Sequence, residues 1–133
     1  MTPSPQHILI TGCSSGIGFH AAQYLRDKGF SVFPTARKAE DLKALTSLGF
    51  DPIALDVSDE NSIQQAVQDL LNKTDGKLFG LINNAGFVQA GSLSQLPRKV
   101  LESQFATNVF GLHSLTQALM PTCLSQKEGR IIH

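Results

Sequence analysis

The chain has 133 residues, and eleven Lys and Arg balance eleven Asp and Glu for a formal net charge of zero. Apolar residues make up 41% and charged residues 17%, which excludes a disordered chain and a nucleic acid or anionic membrane held by bulk charge. No apolar run reaches the roughly 18 residues of a membrane helix, no basic segment precedes the short apolar run at the start, and two cysteines, Cys13 and Cys123, predict a reducing compartment, the cytosol.

His7-Ile8-Leu9-Ile10 reads as a short buried strand, and residues 16–29 as a helix with Ile17, Ala21, Tyr24 and Leu25 at helical spacing and Gly29 as its cap. A second strand covers 30–35. A second helix covers 39–48, with Leu42, Leu45 and Leu48 on one side and Gly49 closing it. Residues 52–57 form a third strand. Ser58 is the expected N-cap of a helix to about Lys73, with Asp59 and Glu60 in the dipole-favoured first turn and Ile63, Val67, Leu70 and Leu71 on its apolar face. Residues 78–82 form a fourth strand. A long helical region follows from about Pro97 to Ser125, with Val100, Leu101, Phe105, Val109, Leu112, Leu115 and Leu119 as its stripe, Pro97 in its first turn, and Gly111 and Pro121 as expected bends. Arg130 to His133 opens a fifth strand. The alternation predicts an α/β fold, a parallel sheet with helices on both faces. The chain stops at Ile131-Ile132-His133 without a polar tail. The expectation is the N-terminal part of a longer protein, with 1–133 as one incomplete nucleotide-binding domain; the alternative is a short C-terminal strand.

Thr11-Gly12-Cys13-Ser14-Ser15-Gly16-Ile17-Gly18 joins the first strand to the first helix. Glycines there permit a tight turn and close approach of backbone to a phosphate, and the free N–H groups at the helix start make an anion site. Ser14 and Ser15 add hydroxyl donors. The spacing TGxxxGxG, rather than GxGxxG, resembles the short-chain dehydrogenase/reductase family. Asn83-Asn84-Ala85-Gly86 ending the fourth strand, Asp56-Val57 ending the third, and Asn108 in the long helix complete the resemblance in the family's order. The Cys-Ser-Ser filling of the glycine loop resembles the hydroxysteroid and retinol dehydrogenase branch.

The resemblance implies a doubly wound, Rossmann-like sheet in the order 3-2-1-4-5, and hydride transfer between a nicotinamide cofactor and a small carbonyl or alcohol substrate. Gly12, Ser14, Ser15, Gly16, Ile17 and Gly18 form the phosphate turn. The resemblance further implies that Asp56 binds the adenine amino group, that Val57 gives a backbone contact, and that Asn84, Ala85 and Gly86 lie along the cofactor. Asn83 is expected to bond neighbouring backbone and fix the fourth strand. In the family a Tyr is the acid/base, a Lys four residues later lowers its pKa, a Ser positions the substrate oxygen and an Asn holds a water in the proton relay. Only the Asn is matched, by Asn108, where a local kink is expected. The sole tyrosine, Tyr24, has Lys28 four residues on, but it lies in the first helix and reads as core. Residues 1–133 alone are therefore expected to bind cofactor without turnover, and Phe87 to Leu96 are the only residues placed to touch substrate. The long helix resembles one used for subunit contacts, which implies a homo-oligomer for the complete protein.

Cofactor choice is read at the end of the second strand. An acid there binds the ribose 2′-hydroxyl of NAD, whereas an Arg accommodates the 2′-phosphate of NADP. Ala36-Arg37-Lys38 offers no acid before Glu40 and two cations, so NADP(H) is favoured over NAD(H). Two other readings use the same residues. Gly12-Cys13-Ser14-Ser15-Gly16 is formally the G-x-S-x-G elbow of an α/β-hydrolase, with Asp56 and His113 or His133 as partners of Ser14. A non-catalytic nucleotide-binding protein on the same fold is the third. Against the hydrolase, no oxyanion loop precedes position 14, and Gly18 and the NNAG run have no role in it. The four histidines show no metal-ligand spacing. Cys13, near a helix N-terminus, has either a lowered thiol pKa or a filler role; Cys123 reads as core.

Overall fold

The computed structural model describes residues 4–133. Its elements are β1 (His7–Ile10), α1 (Gly16–Asp27), β2 (Ser31–Ala36), α2 (Ala39–Ser47), β3 (Ile53–Ala54), α3 (Glu60–Lys73), β4 (Gly80–Ile82), α4 (Arg98–Phe105), a π-helical turn (Ala106–Gly111), α5 (Leu112–Gln126) and β5 (Arg130–Ile132). All strand pairs are parallel, in the order β3-β2-β1-β4-β5. Leu9 sits opposite both Phe33 and Leu81, which places the apolar centres of three strands side by side.

A parallel strand between two helix layers is buried on both faces, and β1 alternates between them. Leu9 joins Phe33, Leu81, Ile63, Leu70, Leu115 and Leu119 beneath α3 and α5. Ile8 and Ile10 join Val32, Ala22, Leu45 and Phe50 beneath α1 and α2. Leu9, Leu70 and Leu115 are fully buried. Burying one such side chain contributes about 2 kcal/mol, so these two layers fix the strands whose C-terminal ends carry the site.

Several elements differ from the sequence expectation. Asp59, not Ser58, is the N-cap of α3: its Oδ1 accepts from Asn61 N at 3.0 Å. Ser58 is engaged by Asp56 instead, whose Oδ1 accepts from the Ser58 amide (2.9 Å) and hydroxyl (2.6 Å). β3 is limited to Ile53–Ala54 and β4 to Gly80–Ile82, although Leu55 N still donates to the Ala36 carbonyl (3.0 Å) and Phe79 N to the His7 carbonyl (2.8 Å) beyond their ends. Pro97 caps α4 from outside it. Pro121 leaves α5 continuous.

The long helix is interrupted at Ala106–Gly111, where Asn108 and Gly111 suggested a kink. A π turn inserts a residue into the helical repeat, so the apolar stripe falls out of phase across it. Leu115 and Leu119 are buried after the turn, whereas Leu101, Phe105 and Val109 before or within it are exposed. The α1 stripe also differs. Its buried positions are Gly18 and Ala22; Tyr24 is 62% and Ile17 82% exposed, so Tyr24 is not core. α1 is held close to the sheet by Gly18 and Ala22, with Phe19, Ala21 and Leu25 partly buried beside them, while Ile17 and Tyr24 face outward.

Candidate functional site

The C-terminal ends of β1, β2, β3 and β4 open into one cleft of about 440 Å³, within the roughly 300–1,000 Å³ of small-molecule clefts. Of the sequence candidates, Gly12, Ser14, Ser15, Ile17, Arg37, Lys38, Asp56, Val57, Asn84, Ala85 and Gly86 line it. Gly16, Gly18 and Asn108 do not. Thr35, Ala36, Asp41, Leu55, Phe87 and Thr107 line it as well.

The β1–α1 turn passes directly over the start of the NNAG segment. Gly12 has φ +70°, and a Cβ there would lie 2.9 Å from the Ala85 Cα. Gly18 packs inward: a Cβ on it would meet the Gly12 carbonyl oxygen at 2.5 Å and overlap the Asn84 amide. Gly16 has φ +63° with open space around it. Ser15 caps α1 without any side-chain hydrogen bond. The first amides of α1 are therefore not capped by Ser15, and with the helix dipole they favour an anion.

Two threonines tie the turn to its neighbours. Thr11 is 1% exposed, and its Oγ1 accepts from Asn84 N (3.0 Å) and Ala85 N (2.8 Å). Thr35 Oγ1 accepts from Gly12 N at 3.3 Å, and its carbonyl accepts from Cys13 N at 2.8 Å. The sequence reading gave neither hydroxyl a role. The signal available was a Thr at or just past the C-terminal end of each of two largely apolar strands.

Asn84 spends its side chain on the turn: Nδ2 donates to the Thr11 and Gly12 carbonyls, each at 3.0 Å. Asn83 differs from expectation. Its Nδ2 donates to Thr116 Oγ1 (3.0 Å) and meets His133 Nδ1 (3.2 Å), so it links β4 to α5 and to the residue after β5 rather than to neighbouring backbone.

Asn108, in the π turn, bonds the backbone of Phe87, which lines the cleft. Its Oδ1 accepts from Phe87 N at 3.0 Å, and its Nδ2 donates to Phe87 O at 2.8 Å. Gly86 leaves room for this clamp; a Cβ there would lie 3.1 Å from Asn108 Oδ1. Gly111 brings the same turn against the sheet, since any Cβ would overlap the Val57 carbonyl.

At the end of β2, Arg37 and Lys38 are exposed, and Ala36 is buried at 4%. Among the described residues Arg37 makes no ion pair, while Lys38 has only a long contact to Glu40 at 3.8 Å. Cys13 faces inward: its Sγ donates to the Ile10 carbonyl at 3.2 Å, and burial pushes its thiol up to about 11. The helix start does not lower it, because the side chain points into the core rather than along the dipole.

The hydrolase elbow is not assembled. Asp56 Oδ1 is engaged by Ser58 and His133 by Asn83, and His113 makes no hydrogen bond to Ser14 or Asp56 among the described residues. No hydrogen bond joins Ser14 to a histidine among the described residues. Those residues also contain no cluster of three or more His, Cys, Asp or Glu able to hold a metal, and no helix is long and apolar enough to cross a membrane.

The family model described as short chain dehydrogenase matches residues 6–133. The uncharacterized oxidoreductase YbbO of Escherichia coli (strain K12) is 42% identical over 125 residues, covering 94% of this chain and 46% of that protein. A solved short-chain dehydrogenase from Streptomyces avermitilis superposes with a TM-score of 0.89 at 34% identity, over 98% of this chain and 49% of that one. A metagenomic short-chain oxidoreductase in complex with NADP has a TM-score of 0.85 at 29% identity, over 95% of this chain and 60% of that one. The chain spans about half the length of the curated relatives it matches. A glycine turn wedged against an NNAG segment, on a sheet ordered 3-2-1-4-5, thus coincides with a family match from residue 6 to residue 133; the chain belongs to the short-chain dehydrogenase family.

Proposed function

We propose that the complete protein is an NADP(H)-dependent oxidoreductase acting on a small carbonyl or alcohol, and that residues 1–133 are the cofactor-binding part of a single Rossmann domain. The observation that carries the cofactor choice is Arg37: exposed, unpaired among the described residues, and preceded by a buried Ala36 where an NAD site has its acid. A guanidinium binds a phosphate through paired charge-assisted hydrogen bonds, and Lys38 adds a second cation. The NADP bound by the metagenomic relative supports the same choice.

The cleft's chemistry fits a dinucleotide along its length. The Gly12–Gly18 turn, with the Ser14, Ser15, Gly16 and Ile17 amides at the start of α1, holds the bridging phosphates. Ile17, a large apolar side chain left exposed over the cleft, is covered by the ligand. Asp56 keeps one carboxylate oxygen free of Ser58 to accept from the adenine amine, with the Val57 backbone beside it. Asn84, Ala85 and Gly86 follow the cofactor toward Phe87. A bound dihydronicotinamide supplies a hydride to the carbonyl carbon, while the carbonyl oxygen takes a proton.

Asn108 is the relay residue of this chain. Its side chain is committed to Phe87, so its part in the relay falls to backbone, and a π turn loosens the local hydrogen-bond ladder where a water can bind. Residues 1–133 on their own bind cofactor and do not turn over, since Tyr24 is the sole tyrosine and sits on the outer face of α1. Proton transfer by a positioned acid contributes about 10²–10⁴-fold in rate. The complete protein forms a homo-oligomer through the exposed face of α4, where Leu101 and Phe105 stand, and the two buried free thiols suit a cytosolic location.

The test uses the complete protein with aldehydes and ketones. Oxidation of NADPH, at a far lower KM than that of NADH, is expected. Equal or better use of NADH would reject the cofactor choice. Stoichiometric fluorophosphonate labelling of Ser14 would favour the hydrolase.

A further inference from the structure

Asp56 stands between β3 and α3 and lines the cleft beside Leu55 and Val57. All its polar groups but one are engaged within the segment 56–62. Its amide donates to Ser62 Oγ at 2.9 Å. Its carbonyl accepts from Asp59 N at 3.1 Å. Its Oδ1 accepts from the Ser58 amide at 2.9 Å and from the Ser58 hydroxyl at 2.6 Å. Oδ2 is left without a hydrogen bond or an ion pair among the described residues.

Neither serine is needed to start α3. Asp59 caps that helix through Asn61 N at 3.0 Å. Closing a local turn would account for the bond from the Ser58 amide. The hydroxyl is a second donor on the same oxygen, at the short distance of a charge-assisted bond. The last torsion of an aspartate is intrinsically broad, and two donors on Oδ1 narrow it, which gives Oδ2 a fixed direction. Ser62, in the first turn of α3, reaches back six residues to hold the main chain of Asp56. Leu55 N donates to the Ala36 carbonyl at 3.0 Å, so the segment is also tied to the strand end that carries Arg37.

We propose that Ser58 and Ser62 are positioning residues for base recognition: Ser58 sets the carboxylate of Asp56 and Ser62 its main chain, so that Oδ2 accepts from the exocyclic amine of the bound nucleotide. This rests on the adenine role given to Asp56 above and adds the residues that aim it. A base with a carbonyl in place of the amine presents an acceptor to an acceptor and is disfavoured. The selectivity for an aminopurine therefore depends on two serines that act through Asp56.

The test is calorimetric titration of the complete protein with NADPH and with deamino-NADPH, in which a carbonyl oxygen replaces the adenine amine. Wild type should bind NADPH at least about tenfold more tightly, as a hydrogen bond to a charged group provides. Ser58→Ala should cut that ratio by about threefold or more and Ser62→Ala by about twofold, through weaker NADPH binding with deamino-NADPH binding held. Ser58→Thr keeps the hydroxyl and should restore the ratio. In an Asp56→Ala background the ratio should be near one, and adding Ser58→Ala should leave it there, because the serine acts only through the carboxylate. A wild-type ratio near one would overturn the inference. So would an equal loss of both dinucleotides in Ser58→Ala, which is the result of a purely structural bond, or an effect of Ser58→Ala on the ratio without Asp56. Titration with 2′,5′-ADP separates this from the oxidoreductase reading. Binding of 2′,5′-ADP that depends on Ser58, in a protein that reduces no carbonyl with NADPH, would leave the base site standing and reject that reading; binding of no adenine nucleotide would overturn both.

Discussion

In the β1–α1 turn, backbone meets backbone. Gly12 rides on Ala85, Gly18 on the Gly12 carbonyl, and Thr11 takes two amides of the next segment. In the strap after β4, residues 87–97, one side chain from elsewhere in the chain, Asn108, does most of the holding, and the large apolar groups point outward. The turn is specified by what it touches inside the protein, so few residue types fit it. The strap is specified at its anchors.

If the turn is as tightly determined as this, adding one carbon should damage it most. Gly18→Ala places a methyl against the Gly12 carbonyl and the Asn84 amide. Overpacking of this kind costs about 3 kcal/mol, read as a lowered urea midpoint together with loss of NADPH binding. A variant of unchanged stability would show that the turn has slack.

Thr11→Val ranks next. It keeps the shape and strips the acceptor from the Asn84 and Ala85 amides. Leaving them unsatisfied costs about 2 kcal/mol, and Thr11→Ser should recover most of the loss in chemical denaturation. Failure of the serine to rescue would trace the effect to packing instead.

On the strap's side the expected cost is smaller. Asn108→Ala removes both bonds to Phe87 and should lower stability by about 1 kcal/mol, with faster hydrogen exchange confined to Phe87 and its neighbours. Global acceleration of exchange would mean that the strap and turn are one unit.

The thiol of Cys13 sharpens the same contrast by pH. Its folded pKa is raised to about 11 from an ordinary thiol value of about 9, chiefly by burial. The folded state then keeps a proton that the unfolded chain loses. Its contribution is fully present below about pH 9 and is lost as pH rises toward about 11. Cys13→Ala should remove that slope from the alkaline limb of the stability profile, and the native thiol should resist iodoacetamide at pH 8.

The two regions were unequally legible in the sequence. The glycine spacing located the turn, and the apolar runs Ile8-Leu9-Ile10 and Leu81-Ile82 located central strands, because burial on both faces leaves a plain pattern. The α1 stripe was legible in part: Ala21 and Leu25 pack on the core, but spacing alone does not separate them from Ile17 and Tyr24, which are exposed. Ser58 looked like a cap because side-chain competition is invisible in sequence, and Asp56 had already claimed it. The phase change across Ala106–Gly111 needed the π turn itself. Asn83's partners, Thr116 and His133, lie 33 and 50 residues away, beyond any local signal.

The most direct test is calorimetric titration of the complete protein with NADPH and NADH, wild type and Arg37→Ala. NADPH should bind at least about tenfold more tightly than NADH, as a charge-assisted phosphate contact provides, and Arg37→Ala should erase that margin while leaving NADH affinity and thermal stability unchanged. Equal affinities in the wild type, or no binding of either nucleotide, would contradict the assignment of this cleft to NADP(H).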